Sequence, residues 1–163
     1  MPAGENLTQP FEIVTASLRD LGEVRRLEKE CFGSDAWPLI DLIAVLSFPG
    51  IVRLKAIAGD RLAGLIAGDI RRGDGISWIV TLGVYPEFRR LGIARALLRA
   101  CEDRLPLNAI RLSVRRNNLP AIALYESEGY RRVGEWRGYY NDGEDALVLE
   151  KVKRSPDIML NHS

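Results

Sequence analysis

The chain has 163 residues, 47% of them hydrophobic and 28% charged, and a formal net charge of +1. These values are typical of one globular domain whose core needs neither disulfides nor metal, and the balanced charge excludes a strong general attraction to nucleic acid or membranes. No apolar run is long enough to span a membrane, and the first ten residues lack the order of a signal peptide. We therefore expect a cytoplasmic protein.

The cysteines and the histidine exclude three kinds of site. Cys31 and Cys101 each fall within a predicted helix, and no CxxC pair or Cys/His cluster accompanies them. This pattern excludes a disulfide scaffold and a zinc site, so we expect two reduced structural thiols and no metal. The one histidine, His162, lies in a polar tail, where a solvated side chain is the usual state, so we expect no Ser-His triad.

The first half of the chain predicts a strand, two helices and three more strands, from side-chain periodicity and from turn and cap residues. A mostly apolar segment at residues 76–84 is typical of a buried central strand. In chain order we predict a strand at 11–16, a helix from a Ser17 cap to about Phe32, a helix from Pro38 to about Ser47, strands at 50–58 and 61–70 joined by the turn Gly59-Asp60, and the strand 76–84.

The second half predicts two helices, each followed by strands. In chain order these are a helix from about Leu91 to Arg104, a strand at 109–115, a helix from an Asn118 cap to Glu128, a hairpin of 130–140 and 144–152, and a loose tail at 153–163. The order βααβββαβαββ indicates an α/β domain with a mixed sheet, spanning residues 1–152.

The segment EFRRLGIARALL, residues 87–98, begins an amphipathic helix with two arginines and small residues. A helix N-terminus carries unpaired N–H groups and a positive dipole end, so it favours anions. Two phosphate loops are excluded here. A Walker loop needs a lysine after Gly92, where Ile93 stands, and a dinucleotide fingerprint needs a glycine closer than Gly83.

The third phosphate pattern, Arg/Gln-x-x-Gly-x-Gly/Ala, matches Arg89 to Ala94, although a plain helix start with exposed arginines is the simpler interpretation. The preceding strand favours a ligand. Gly83 permits a bulge and Pro86 ends the hydrogen-bonding ladder, which would leave backbone groups free for an extended amide chain. Coenzyme A combines a pyrophosphate with such an arm.

Over nearly its whole length the chain resembles the GNAT superfamily of acetyl-CoA-dependent N-acyltransferases. It is most similar to the protein N-terminal acetyltransferases, including the RimI-like ribosomal-protein alanine acetyltransferases. The motifs that carry this resemblance are the loop at 89–94, the helix NNLPAIALYESEGY at 117–130, the RGYYNDGEDAL hairpin at 137–147 and the turn between Cys31 and Pro38. The resemblance implies a single-domain GNAT fold, with helices flanking a mostly antiparallel mixed sheet that is splayed between its fourth and fifth strands.

The resemblance also implies how acetyl-CoA is held. The residues implied are Leu82 and Val84 for the pantetheine arm and acetyl carbonyl, the backbone around Arg89, Arg90, Gly92, Ala94 and Arg95 for the phosphates, and Asn118 for the cofactor arm. Helix capping is the alternative role of Asn118, and both roles are compatible. We interpret Arg115 and Arg116 as solvated surface residues.

Tyr125 takes the family's position for protonating the departing thiolate, and a phenol with a pKa of about 10 suits that task. Aromatic packing within its helix is the alternative. The general base departs from the family, because Ser113 stands where relatives carry glutamate or histidine, and Trp78 where some carry tyrosine. We therefore expect Ser113 to hold a water. Asp69 and Glu28 are longer-range candidates whose simpler interpretation is as surface charges.

The absence of a strong base favours an α-amine as acceptor. At pH 7 roughly a tenth of an α-amine is already neutral, compared with about one lysine in a few thousand. We expect acetyl transfer by direct attack in a ternary complex, with Val84 N–H stabilising the oxyanion. Trp37, Tyr139 and Tyr140 would flank a protein N-terminus, such as that of a ribosomal protein, unless they only pack in the hairpin. The alternatives are a small-amine acetyltransferase and a non-catalytic CoA-binding regulator; we expect a monomer or weak homodimer.

Overall fold

The computed structural model describes residues 10–153, and the order of its elements confirms the predicted βααβββαβαββ pattern. The strands are β1 (Phe11–Thr15), β2 (Ile51–Ala58), β3 (Arg61–Arg71), β4 (Ile76–Val84), β5 (Ala109–Arg115), β6 (Arg131–Trp136) and β7 (Ala146–Val152). The helices are α1 (Leu21–Phe32), α2 (Leu39–Ser47), α3 (Ile93–Arg104) and α4 (Leu119–Ser127).

The strands form one mixed sheet in the order β1-β2-β3-β4-β5-β7-β6. Every neighbouring pair is antiparallel except β4 and β5, which are parallel. These two strands pair only from Ile76 to Ile79 on β4 and from Ala109 to Leu112 on β5. Beyond those residues they separate, so the predicted splay between the fourth and fifth strands is confirmed.

Helices cover both faces of the sheet. Because successive side chains of a strand point to opposite faces, Leu65 and Ile66 on β3 enter two different core clusters. Ile66 belongs to the cluster of α3, whose Leu97 and Leu98 are fully buried, and Leu65 to that of α1 and α2. The sheet is therefore held between α3 on one face and the α1–α2 pair on the other.

Three predicted boundaries are wrong, each for a local reason. Ser17 caps a short 3-10 turn, accepting a hydrogen bond from the Arg19 N–H at 3.3 Å, so α1 begins only at Leu21. Helix α3 begins at Ile93 because the preceding loop contains positive φ angles that helical backbone excludes. Strand β6 ends at Trp136, so Tyr139 and Tyr140 lie in the β6–β7 loop.

The predicted bulge at Gly83 is also misplaced. Gly83 pairs regularly with Leu65, and the irregularity falls at Val80, between the pairs Gly68–Ile79 and Ala67–Thr81. A Cβ atom on Gly83 would lie 3.3 Å from Cys31 Sγ on α1. A side chain at position 83 would therefore crowd α1 where it lies against β4.

Most of the predicted tail, with His162, lies outside the described residues, so the domain boundary at residue 152 stays a prediction. Lys153 is described, and its N–H donates to Asn108 O at 2.8 Å. Between residues 10 and 153, no helix is long and apolar enough to cross a bilayer. Both cysteines are free thiols, Cys101 fully buried in α3 and Cys31 partly exposed in α1.

Candidate active site

The separation of β4 from β5 opens a cavity of about 630 Å³. Its walls come from both strands, from α4, from the turn after α1 and from the β6–β7 loop. The predicted site residues that line it are Trp37, Leu82, Ser113, Asn118, Tyr125, Tyr139 and Tyr140. Val84 and the predicted phosphate residues at 89–95 lie outside this lining.

The end of β4 presents backbone groups to the gap. Tyr85 N–H donates to Ala63 O on the β3 side at 2.9 Å. Because backbone groups alternate in direction along a strand, those of Leu82 and Val84 face away from β3, toward the side that β5 has left. Val84 O accepts hydrogen bonds from the Cys31 thiol at 3.4 Å and from Arg89 Nε at 3.2 Å. The Leu82 backbone and the Val84 N–H can therefore pair with an extended ligand, whereas Val84 O already has partners within the protein.

The loop before α3 has a left-handed backbone and leads into a helix N-terminus, an arrangement that favours anions. Arg90 and Gly92 have φ angles of 64° and 80°, and Gly92 caps α3 without any side-chain hydrogen bond. The first-turn N–H groups of α3 have no carbonyl partner within the helix, and that turn contains no acidic side chain. A Cβ atom on Gly92 would meet nothing within 4 Å, so no other element packs against the loop at this residue.

Two of the arginines predicted to contact phosphates have side chains that are bonded to other residues of the protein. Arg95 is ion-paired with Glu128 and donates to Ser127 Oγ at 3.0 Å, which ties α3 to the end of α4. Arg89 Nε donates to Val84 O. An anion at this loop would therefore be held chiefly by backbone N–H groups and by the dipole of α3.

Tyr125 projects from α4 into the cavity while most of its surface is buried. Its ring makes an edge contact with Tyr130, with centroids 5.8 Å apart. Burial, reinforced by nearby Tyr140, raises the pKa of Tyr125 to about 12. The phenol therefore stays protonated at physiological pH and can donate to a departing thiolate; packing and proton donation are both compatible with this position.

Asn118 caps its helix, and its position in the cavity wall is compatible with the predicted cofactor contact. Its side-chain oxygen accepts a hydrogen bond from Ala121 N–H at 3.3 Å, which caps α4, and the residue lines the cavity. Capping directs this side chain toward the helix start.

The opening of the cavity is held by an ion cluster around Arg115, at the end of β5. Its guanidinium lies 2.6 Å from Asp35, 2.9 Å from Asp142 and 2.6 Å from Glu144. This cluster joins the turn after α1 to the β6–β7 loop. The interpretation of Arg115 as a solvated residue is therefore wrong, because its carboxylate partners come from distant parts of the chain.

An aromatic strip runs from the sheet to the same opening. Trp78 stacks on Trp136 with centroids 5.7 Å apart, Trp136 contacts Tyr139 at 5.1 Å, and Tyr139 contacts Tyr140 at 5.1 Å. Tyr139 is half exposed, so it remains available to a ligand. Trp78 stands where some relatives carry a tyrosine base. Here it packs against Trp136, and its indole has no group that can accept a proton.

The two carboxylates considered as long-range bases, Asp69 and Glu28, differ in exposure and in bonding. Asp69 is partly exposed and bonded to Arg71 Nε at 3.0 Å, as a surface charge would be. Glu28 is only 2% exposed, so its interpretation as a surface charge is wrong. Helical spacing could have revealed this, because Glu28 follows Val24 by four residues, on the face of α1 that packs against the sheet.

Glu28 is bonded to one residue of the cavity wall. The Thr81 hydroxyl donates to Glu28 Oε1 at 2.6 Å, whereas Oε2 has no hydrogen-bond partner within the described part of the chain. Burial raises the pKa of the Glu28 carboxyl, and the Thr81 hydroxyl and Trp37 backbone oppose this shift only in part.

Known proteins with a similar sequence or fold are N-acetyltransferases, the class that the sequence predicts. Residues 21–130 match the Acetyltransferase (GNAT) family, and the chain belongs to this family. It is 34% identical over 154 residues to the N-alpha-acetyltransferase RimI of Mycobacterium tuberculosis, covering 91% of this chain and 97% of that protein. The ribosomal-protein-S18-alanine N-acetyltransferase of Escherichia coli superposes with a TM-score of 0.81 at 23% identity, over 91% of this chain and 97% of the other.

A third protein was solved with a ligand that joins both substrates. Arabidopsis thaliana Naa50, in complex with the bisubstrate analogue CoA-Ac-MVNAL, has a TM-score of 0.73 and 25% identity, over 86% of this chain and 97% of the other. Membership of the family confirms the predicted class of enzyme, an N-acetyltransferase, and the predicted cofactor, acetyl-CoA. The roles of individual site residues stay predictions. Within residues 10–153, no cluster of His, Cys, Asp and Glu could hold a metal.

Proposed function

We propose that the protein transfers the acetyl group of acetyl-CoA to the N-terminal α-amine of a protein or peptide. The observation that carries this proposal is the cavity itself, in which the free edge of β4, the Tyr125 phenol and an aromatic opening meet. The RimI relative and the S18-alanine acetyltransferase, whose names record N-terminal acetylation, support the choice of acceptor.

The chain offers a place for each part of the cofactor. The first-turn N–H groups of α3, with Gly92 and Ala94 leaving room, would hold the diphosphate. The backbone of Leu82 and Val84 would hold the pantetheine arm by strand-like pairing. When bound, acetyl-CoA supplies the thioester that an amine attacks. Val84 N–H then donates to the developing oxyanion, and Tyr125 donates its proton to the leaving sulfur.

The opening of the cavity favours a peptide over a small amine. Trp37 on one side and Tyr139 and Tyr140 on the other provide apolar walls that an extended chain can contact beyond its first residue. A polyamine or similar small cation would leave most of these walls unused. An α-amine also requires less help with deprotonation than a lysine, because its pKa is about 8 rather than about 10.4.

The test is acetylation of a matched panel of acceptors by the full-length protein, measured as release of free CoA thiol and by peptide mass. The panel holds peptides with free N-termini, the same peptides with blocked N-termini and an internal lysine, and small polyamines. We expect turnover of the free N-termini, with different rates for different first residues. Turnover of small amines alone, or of lysine alone, would overturn the proposed acceptor.

The same assay distinguishes the proposed acetyltransferase from a non-catalytic CoA-binding regulator. Such a protein would bind CoA, acetylate no member of the panel, and show no rate to lose in the Tyr125→Phe variant. The expected ribosomal-protein target, the monomeric or weakly dimeric state and the absence of nucleic-acid binding remain predictions.

A further inference from the structure

The attacking amine must lose a proton, and the position that carries the base in relatives does not provide one. Ser113 lines the cavity, but a hydroxyl that is not bonded to a stronger base does not hold a proton near neutral pH. Asp69 is bonded to Arg71 and partly exposed to solvent. The proton must therefore leave by another route.

Glu28 has the properties of a proton acceptor, because its carboxylate can still accept a hydrogen. Its side chain is buried in α1 and makes no ion pair within the described part of the chain. Within residues 10–153 one oxygen accepts a hydrogen bond from a single hydroxyl and the other accepts none, and the Trp37 backbone nearby lowers the pKa of the carboxyl only in part. A buried carboxylate that serves only structure is normally paired or fully hydrogen-bonded, and Glu28 is neither.

Thr81 connects this carboxylate to the cavity. It lies on β4 immediately before Leu82, lines the cavity wall, and donates its hydroxyl hydrogen to Glu28 Oε1 at 2.6 Å. Glu28 itself does not line the cavity. The Thr81 oxygen therefore offers a hydrogen-bonded path from the cavity to Glu28, because it can accept one hydrogen while it gives up its own.

We propose that Thr81 is a catalytic hydroxyl that passes the amine proton to Glu28, the final acceptor. Before attack, one proton of the ammonium moves to Thr81 Oγ as the Thr81 proton moves to Glu28 Oε1. The neutral nitrogen then bonds to the thioester carbonyl carbon, and the C–S bond breaks with its electron pair on sulfur, which takes the Tyr125 proton. The second proton that the nitrogen loses restores the Tyr125 phenol, and Glu28 later releases its proton to solvent by the reverse path.

The surroundings of Glu28 leave its charge uncompensated. On α1 itself Glu28 interacts with the Cys31 thiol, and Arg89, from the loop after β4, acts on Cys31. The Trp37 backbone, in the turn after α1, and the Thr81 hydroxyl, on β4, lower the pKa of Glu28. Because no cation in the described part of the chain is paired with it, the carboxylate is a stronger base than an exposed one.

The inference rests on the proposed acetyl transfer to an amine, although not on which amine. The variants are Glu28→Gln, Thr81→Val and Thr81→Ser, with Glu30→Gln on the exposed side of α1 as the matched control. We expect Glu28→Gln and Thr81→Val each to lower kcat at pH 7 by about 100-fold or more. Thr81→Ser, which keeps the hydroxyl, should stay within a few-fold of the wild type, and CoA affinity should change in none of them.

Two further readouts separate a relay from a structural hydrogen bond. In the double variant Glu28→Gln, Thr81→Val, kcat should fall no further than in either single variant, because both residues act in one path. The deficits should also shrink as pH rises above about 8, where the α-amine is already neutral. Wild-type kcat in Glu28→Gln, or additive deficits that do not change with pH, would overturn the relay.

Failure of the proposed acceptor is distinguishable from failure of the relay. If the wild type acetylates only small amines or lysine, the same variants are compared on that acceptor, since every attacking ammonium must lose a proton. The relay is upheld if the deficits recur there and overturned if they do not. If the wild type acetylates no amine at all, both the proposed function and the relay are overturned.

Discussion

The guanidinium of Arg115 lies 4.1 Å from the centre of the Tyr140 ring while it is ion-paired with Asp35 across the cavity opening. One side chain therefore positions both an acceptor-site aromatic ring and the turn that carries Trp37. Three carboxylates share this single cation, so the opening keeps its shape only while the guanidinium is in place.

Replacing Arg115 should weaken acceptor binding more than chemistry. In Arg115→Met we expect the KM for a peptide to rise roughly tenfold, equivalent to about 1.4 kcal/mol, with little change in CoA affinity. The matched control is Arg116→Met, because Arg116 is exposed and its ion pair with Glu135 should contribute only about 0–1 kcal/mol. Steady-state kinetics with peptide and CoA titrations decide; equal effects in the two variants would contradict a positioning role for Arg115.

Removal of the Tyr125 hydroxyl should affect the rate and leave the cofactor bound. We expect Tyr125→Phe to lower kcat by roughly 100- to 10,000-fold with an unchanged Kd for CoA. Tyr85→Phe is the control, because Tyr85 lies outside the cavity lining. Since the pKa of Tyr125 is about 12, its phenol stays protonated to high pH. The wild-type kcat should therefore not fall between pH 7 and pH 10 through loss of this proton. An unchanged kcat in Tyr125→Phe would contradict the role of Tyr125 as proton donor.

The left-handed backbone at Gly92 should be needed for the diphosphate. Alanine there meets no neighbour but must adopt φ of 80°, at a cost of about 1–2 kcal/mol. Gly59 in the β2–β3 turn has φ of 63° and equally open surroundings, so Gly59→Ala carries the same strain away from the site. Thermal unfolding should show similar losses of stability in both variants. Isothermal titration should show weaker CoA binding only in Gly92→Ala, and equal affinities would contradict the phosphate assignment.

The buried carboxyl of Glu28 should destabilise the fold at neutral pH. Its pKa is raised in the folded state, so its contribution to stability is fully present below about pH 4.3, the ordinary value. That contribution is lost as pH rises through the raised pKa. Glu28→Gln does not titrate and should be at least as stable as the wild type at pH 8, with its advantage disappearing toward pH 4. Denaturant unfolding across this range is the measurement, and a variant markedly less stable at pH 8 would indicate a structural role.

The order of helices and strands could be predicted because each element carries its own periodicity. The apolar spacing of α3 and the uninterrupted apolar run of β4 are local signals that need no knowledge of partners. The ends of elements were less predictable. Residue Gly138 has φ of 59° and its N–H donates to Asp145 Oδ1 at 2.8 Å, and this turn after β6 leaves Tyr139 and Tyr140 in a loop.

Side-chain partnerships across the site could not be read from the chain. Arg115 and Asp35 are separated by 80 residues, and Glu28 and Thr81 by 53. Neither pair forms a recognisable motif, because each depends on how α1 lies against the sheet. Individual residues such as Tyr125 and Asn118 were identifiable from a motif, but the residues that hold or assist them were visible only once packing was known.

The limited pairing of β4 with β5 has a consequence for cooperativity. Strands β1–β4 and strands β5–β7 form two half-sheets that meet through only four residue pairs. Local opening in proteins begins where few contacts join neighbouring units, so the seam between these half-sheets is the natural boundary between two folding units. A ligand in the gap contacts both halves at once, and its binding free energy adds to the coupling between them. The amide hydrogens along this seam should then exchange more slowly with solvent when the cofactor is bound, which makes the cofactor a structural member of the sheet as well as a reactant.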